Sequence, residues 1–390
     1  MTYTTFTRVF MTACGLQSIT YGLTFLLPEL FAQIGGTTAD VGSVLGVTAL
    51  TTLAVVLLLG EATKRIGIMP PLAASGLICA LSLILFARAA SIDAMVYFAG
   101  GMLGLGWGLF YVLGPIALAQ VLKPDQRVTQ FTWLSTFVMA GIGVGPIIGY
   151  LVGAELGFSV VAVACLACAA AFATLTHHHT NLRVTQADVE NDLSFRSATQ
   201  VMTSCAWRPI VMVGLGASVF AAVSNFQTVY ADANGLSYAA FFLAYTVTVI
   251  IGRLVMARFI GTHAPYGVIA FLMVVMTAAV LVLLIQSSNM IVYVAASILF
   301  GIGYGVAYPI VKAMAANDAC PELTAATLQM FGLSYFVGVF GFPFVAGVVI
   351  TTAGIPTLLI IAALLSCAEG SLAYVRWRQD RIVVAMMSSD

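Results

Sequence analysis

Within the long apolar runs of this sequence, four ionisable side chains stand where they could bind or carry something: Glu29, Arg253, Lys312 and Glu369. A carboxyl in apolar surroundings can take up and release a proton, and a cation there can hold an anion. Both are costly to bury, so each is a functional suspect by default. Glu29, Glu369 and Arg253 are the ion-coupling candidates, with solvated interfacial groups as the alternative reading. Polar and aromatic residues form a second set. Gln17, Thr20, Tyr21 and Thr24 share one helical face by their spacing. Ser224, Asn225, Gln227, Thr228 and Tyr230 make an uncommonly polar patch in another apolar run, and Trp107, Tyr111, Tyr304 and Tyr308 add rings with polar tips. Such rings can enclose a moderately apolar solute while hydroxyls and amides hydrogen-bond it. The substrate-binding candidates are therefore Gln17, Tyr21, Thr24, Trp107, Tyr111, Asn225, Gln227, Tyr304 and Tyr308. Gln130, Trp133, Tyr245, Gln329 and Tyr335 come second. Any one of them alone reads equally well as interhelical packing; their clustering is what points to a solute path.

The elements that position these residues follow from where charge is missing. Of 390 residues, 61% are hydrophobic and 8% charged, with 15 Lys+Arg against 15 Asp+Glu. Soluble domains carry about 25% charge, so the solvent of this chain is lipid, and soluble enzymes and nucleic-acid binders are excluded. Ten stretches lack Asp, Glu, Lys and Arg: 9–28, 41–60, 66–87, 94–122, 128–154, 156–182, 209–231, 233–252, 259–311 and 323–368. About 20 residues cross a hydrocarbon core. The last two stretches are twice too long and break at the polar turns 286–289 and 351–356, which predicts twelve transmembrane helices. Continuous apolar runs without in–out alternation exclude a membrane barrel. The first run lacks a small-residue cleavage site after Leu27-Pro28-Glu29, so it reads as span 1 and not as a signal peptide. With both termini on one side, every Lys and Arg except Arg88 falls on that side. The positive-inside rule then places both termini in the cytoplasm of a multi-pass cytoplasmic-membrane protein. The mixed-charge connection divides the chain into a six-helix half at 1–176, a cytoplasmic linker with a short surface helix at 177–208, and a six-helix half at 209–390.

The halves repeat. Gly104-Leu105-Gly106-Trp107-Gly108-Leu109-Phe110-Tyr111 in span 4 matches Gly301-Ile302-Gly303-Tyr304-Gly305-Val306-Ala307-Tyr308 in span 10, at an offset of 197. The same offset pairs Pro124 with Pro321, Gly141 with Gly338, Pro146 with Pro343 and Gly157 with Gly354. Equivalent spans are six apart, an even number, so the halves share one topology about an axis along the membrane normal, the arrangement of major facilitator transporters.

Local motifs carry the resemblance further. Gly141-Ile142-Gly143-Val144-Gly145-Pro146-Ile147-Ile148-Gly149 in span 5 is similar to the G-x-x-x-G-P-x-x-G motif of the major facilitator superfamily. In that family the motif accompanies proton-coupled export, especially in drug-efflux antiporters. The resemblance implies conformational roles for Gly141, Gly145, Pro146 and Gly149; tight packing without export meaning is the other reading. The loop after span 2, Gly60-Glu61-Ala62-Thr63-Lys64-Arg65-Ile66-Gly67, is similar to the family's charged latch loop. Gly60, Arg65 and Gly67 keep the pattern, but Lys64 stands where the acid belongs and Glu61 is its nearest replacement. The second half keeps Gly252-Arg253 and Arg258. The family's proton-linked exporters carry an arginine in span 4 where this chain has Gly100, and the span 10 equivalent is Ser297. In the family, spans 1, 4, 7 and 10 line the cavity, and these are the spans that hold the substrate candidates.

Other patterns fail on context. The Gly-x-Gly runs follow no strand and sit inside apolar spans, which removes dinucleotide binding. Cys165 and Cys168 lie within span 6 with no further ligands, and the odd total of seven cysteines fits apolar filling. His177-His178-His179 reads as a polar edge before it reads as a metal site. No Walker loop or hydrolase arrangement is present, so no enzyme activity, cofactor or metal is expected. The expected function is secondary transport of a small amphipathic or weakly polar solute by a monomer in the lipid bilayer, by proton-coupled export. The alternatives are uptake or exchange of a small metabolite (monocarboxylate or sugar), facilitated diffusion without an ion, and a transport-dead sensor or assembly subunit. A carboxylate carrier would want a cation in its cavity, and Arg253 or Lys312 is available.

Overall fold

A computed structural model of the chain describes residues 3–122, 127–178, 195–256 and 264–387, and their regular structure is helical throughout. The membrane helices are α1 (Tyr3–Leu23), α2 (Thr38–Ile66), α3 (Met69–Ala87), α4 (Ala94–Val121), α5 (Arg127–Val152) and α6 (Ala154–His178) in the first half. The second half holds α7 (Trp207–Asn225), α8 (Tyr238–Met256), α9 (Pro265–Leu284), α10 (Met290–Asp318), α11 (324–353) and α12 (355–387). Among the described residues, eleven helical stretches are long and apolar enough to cross a membrane, and the last, Ala326–Ile382, has 57 residues. At 1.5 Å per residue that is about 85 Å, far beyond a hydrocarbon core of about 30 Å. Gly354, at φ 82°, breaks it into α11 and α12, so the chain crosses twelve times and both ends lie on one side, called here the terminal side.

The left-handed glycine between α5 and α6 is Gly153, at φ 87°, so the counterpart of Gly354 is Gly153 and not Gly157 as the constant offset predicts. The cause is length: Gly153 follows Pro146 by seven residues and Gly354 follows Pro343 by eleven, one helical turn more. The offset therefore holds only up to Pro343. Residues 179–194 of the expected linker and His179 lie outside the described residues; a helix at Phe195–Thr203 precedes α7.

Two of the scarce charges on the far side, Asp40 and Asp93, cap helices. Thr37 and Asp40 form a reciprocal capping box at the start of α2, and Asp93 accepts from the Met95 N–H at 2.9 Å to start α4. Asn289 does the same for α10, accepting from the Ile291 N–H at 2.8 Å. Each satisfies a backbone donor that lipid could not.

Glycines set the packing within each half. In α4, Gly100, Gly104 and Gly108 face α2, meeting Thr48, Thr51 and Val55, while Gly106 faces α3 at Ser75 and Cys79. The repeat reproduces this: Gly301 and Gly305 face α8 at Thr248 and Val249, and Gly303 faces α9 at Met276. Gly141, Gly145 and Gly149 of α5 lie on α1, against Gly15, Gly22 and Leu26. Gly338 does the same against Gly214 and Ala217 of α7. Backbones close enough to exclude a Cβ replace the hydrophobic drive that lipid cannot supply between helices. Gly145→Leu should therefore cost about 1–3 kcal/mol by overpacking and lower the thermal midpoint in detergent. Gly332→Ala, where a methyl group meets nothing within 4 Å, should be neutral or stabilising in the same measurement.

Candidate functional site

The halves meet differently on the two sides. On the far side they are in contact along three helix pairs. Thr24, in the tighter 3-10 turn Thr24–Leu26 that follows α1, donates its hydroxyl to the Tyr21 carbonyl at 2.7 Å and stands 3.4 Å from Asn225 Oδ1 at the end of α7. Thr38 of α2 meets Thr351 of α11 hydroxyl to hydroxyl at 3.0 Å, with Gly42 and Gly347 allowing backbone contact beside them. Gly143 of α5 lies on Thr246 of α8, and the Tyr150 and Tyr238 rings stand edge to face at 5.5 Å. On the terminal side a cavity of about 780 Å³ separates the halves, walled by the terminal-side parts of α4, α5, α8, α10 and α11 with Cys14 of α1.

An aromatic plug fills the centre between these two regions. Tyr21 stacks on Trp107 at 5.2 Å, and Phe220 stacks on Tyr304 at 4.5 Å. Phe340 closes on Tyr21 edge-on at 5.5 Å. Tyr304 stands in a widened π-turn, Gly301–Gly305, that its counterpart Trp107 lacks. Below the plug, the Tyr111 and Tyr308 hydroxyls meet at 2.6 Å, and Tyr111 stacks on Tyr335 at 5.5 Å. Tyr111 and Tyr308 are repeat equivalents; two equivalent groups can touch only on the axis that relates their halves. They mark that axis at the inner end of the plug and line the cavity.

The structure thus brings together Tyr21, Trp107, Tyr111, Tyr304 and Tyr308 of the sequence candidates, and sets Thr24 and Asn225 in the far-side closure. Two candidates turn elsewhere. The Gln17 amide donates to Ser75 Oγ of α3 at 2.9 Å, and the Gln227 amide donates to the Tyr293 hydroxyl of α10 at 2.7 Å. Each amide N–H donates within its own half, because a buried primary amide needs polar partners and the neighbouring helix supplies an acceptor; Gln17 Oε1 is left without a hydrogen-bond partner. Sequence reasoning missed Phe220 and Phe340. Phe220 stands one helical turn before Ser224 on the same face of α7, a signal hidden by searching that face for polar atoms alone.

Arg253 is 6% exposed and lines the cavity. Its Nε donates to the Gly305 carbonyl at 2.8 Å, within the second half, and its Nη1 donates to the carbonyl and hydroxyl oxygens of Ser135 on α5, across to the first half. The titratable groups around it are the phenols of Tyr111, Tyr245, Tyr304, Tyr308 and Tyr335, and among the described residues no carboxylate joins them. Lys312, exposed, lines the same cavity closer to the end of α10. Glu29 lies near Tyr238 at the far side, and its Oε2 has no hydrogen-bond partner. Glu369, 2% exposed on α12, lies against Gly216 of α7, and its Oε2 has no hydrogen-bond partner. Neither carboxyl lines the cavity. Gly100 packs on Val44 and Thr48, so the position where exporters carry arginine is here a helix contact, and the Ser297 hydroxyl donates to the Phe241 carbonyl at 2.6 Å. Gly67, at φ 78°, terminates α2, its N–H donating to the Thr63 carbonyl at 2.9 Å. The packing around Gly60, the side chain of Arg65 and all of Arg258 fall outside the described residues. Cys165 and Cys168 are buried free thiols, and no group of three His, Cys, Asp or Glu among the described residues could hold a metal.

Twelve crossings in two repeated halves, with a cavity between them on one side and closure on the other, define a membrane transporter. The family model of the Major Facilitator Superfamily matches residues 9–343, and the chain belongs to that superfamily. Among solved structures, the nucleoside transporter NupG superimposes with a TM-score of 0.76 over 95% of this chain and 98% of its own, at 15% identity. A mutant of that transporter gives 0.75 over 95% and 99%, at 16% identity. At such identities the likeness shows the fold. No curated protein matches the chain.

The hydroxyl pair on the axis has a direct test. Tyr111→Phe should leave stability within about 1 kcal/mol, the usual net worth of one hydrogen bond, and Tyr111→Ala should impair solute flux in liposomes while the protein still elutes as a folded species. Wild-type kinetics for both Tyr111→Ala and Tyr308→Ala would detach the cavity from transport.

Proposed function

We propose that the chain is a secondary carrier of the cytoplasmic membrane, with its terminal side in the cytoplasm, which moves a small amphipathic solute by alternating access. The observation that carries this reading is the opposite state of the two sides: an open cavity of about 780 Å³ on the terminal side and cross-half contacts on the far side. The one-sided distribution of Lys and Arg supports the orientation, and a cavity complete within one chain supports a monomer. Lipid and solute are then the partners. The similarity to a nucleoside transporter raises nucleosides as a solute class. The wall favours something less polar: its hydroxyls come from Tyr111, Thr132, Ser135 and Tyr308, its charges from Arg253 and Lys312, and most of the remainder is apolar side chain.

If the far side opens in each cycle, the Thr38–Thr351 contact must break. A disulfide between Thr38→Cys and Thr351→Cys should stop solute flux in proteoliposomes, and a reductant should restore it. Flux that continues through the cross-link would remove alternating access from the reading.

Proton-coupled export is the second reading, and two observations favour it. One is Gly143, which puts the span 5 motif into the far-side contact with α8; Gly141, Gly145 and Gly149 instead support packing within the first half. The other is Glu369, a buried carboxyl whose Oε2 has no partner, a costly arrangement to keep without a use. Glu29, which lies near Tyr238 of the other half, acts in this reading at the far-side closure. Glu369→Gln should abolish the response of solute flux to an imposed proton gradient while leaving downhill exchange intact. A wild-type flux indifferent to that gradient would rule the coupling out.

A further inference from the structure

We propose that the cavity selects a small monocarboxylate with an apolar body, and that Arg253 holds its carboxylate by exchanging the Ser135 contact for the solute. The proposal rests on the carrier reading above and names the solute class of the same cavity. It starts from an imbalance of charge. Arg253 is buried and keeps its charge at any physiological pH. An ion held out of water is stable only when its charge is met as well as its hydrogen bonds. Here the guanidinium meets two carbonyls and a hydroxyl, with five phenols around it, and among the described residues no acid faces it from α1, α4, α5, α10 or α11. Its hydrogen bonds run from Nε and Nη1, and Nη2 has no partner among the described residues. A planar fork with one arm unengaged, at the wall of a cavity, matches the two-oxygen edge of a carboxylate.

The chemistry of the wall limits the ligand further. Lys312 stands nearer the end of α10 and Arg253 deeper, with no carboxylate among the described lining residues, so an anion meets favourable potential along this wall. One guanidinium at the deep end neutralises one negative charge, and the loaded cavity then presents no net charge from this pair as the halves rock. A dianion would leave a surplus that no other deep cation meets. Phe110, Phe131, Leu134, Val138 and Val306 leave the rest of the solute an apolar enclosure. A sugar or nucleoside would bring hydroxyls there without partners.

The position of Arg253 also supplies a link to movement. Its Nε fixes it to α10 in its own half, and its Nη1 reaches α5 in the other half through Ser135. A carboxylate that takes over the fork competes with that bridge between the halves, so occupancy and release of the α5–α8 contact become one event. The bridge is a positioning contact for Arg253 in the empty carrier, and the solute is its competitor.

The test uses the full-length protein and isosteric pairs: benzoate against benzamide, and hexanoate against hexanamide. Ligands that bind the folded state raise its thermal midpoint. Both carboxylates should stabilise the wild type in detergent and neither amide should. Arg253→Gln should weaken the carboxylate response at least about tenfold, the scale of a lost charge-assisted hydrogen bond, while Arg253→Lys retains part of it. If Arg253→Gln does not fold, Ser135→Ala keeps the proposal exposed: removal of the competing hydroxyl should strengthen the benzoate response, and a weaker or unchanged response overturns the exchange. Amides that stabilise as well as carboxylates, a panel in which nothing stabilises, or a benzoate response undiminished in Arg253→Gln would each overturn the proposal. None of these outcomes touches the cross-linking test of the carrier itself, which fails or stands on flux alone.

Discussion

Close approach of helix backbones at glycine is the interaction on which the rest of this molecule depends. Lipid is as apolar as leucine, so helices in it gain little by hiding side chains from solvent and cohere by contact and hydrogen bonding. Within each half such contacts are dense: α4 is seated on α2 and α3 through alternate glycines, α10 on α8 and α9 in the same way, and α5 on α1. Between the halves they occur on the far side, at Gly42, Gly143 and Gly347. Two bodies whose close backbone contacts with each other lie on one side can separate there without either losing its own packing. The mechanical division of the chain is thus written in the same residue type that builds it.

The aromatic plug and the cavity follow from that division. Rings of Tyr21, Trp107, Phe220, Tyr304 and Phe340 fill the space where both halves converge, and the Tyr111–Tyr308 pair closes it on the axis. Stacked rings exclude water without fixed hydrogen bonds, so they can part at lower cost than a polar network. Against this nearly uncharged interior, Arg253 stands out because it belongs to one half and bonds to both.

Much of the fold was legible in the sequence because burial in lipid leaves a trace residue by residue: a charge is either absent or at an interface. Twelve crossings and the repeat followed from that. The site was legible only in part. The spacing of Gln17 with Tyr21 and Thr24 set all three on one helical face, yet a face spans two neighbours, and Gln17 turned to Ser75 on α3 while Tyr21 turned to the centre. Gln227 went to Tyr293 for the same reason. Polarity told that these groups need partners and could not tell which helix provides them. The α5 motif divides similarly, with Gly141, Gly145 and Gly149 on α1 and Gly143 on α8, on opposite faces of one helix.

The sequence by itself determined the solvent, the number of crossings and the two-fold repetition, because each of these depends on composition along the chain and on nothing across it. Tertiary structure alone decided that the repeat breaks by one turn before Gly354, that the far side is closed, and that the cation of the interior faces a cavity with no acid among its described lining residues. These are relations between residues more than a hundred positions apart, such as Arg253 with Ser135 and Thr38 with Thr351. Hydropathy places a residue at a depth in the membrane; only packing decides which neighbour it meets there.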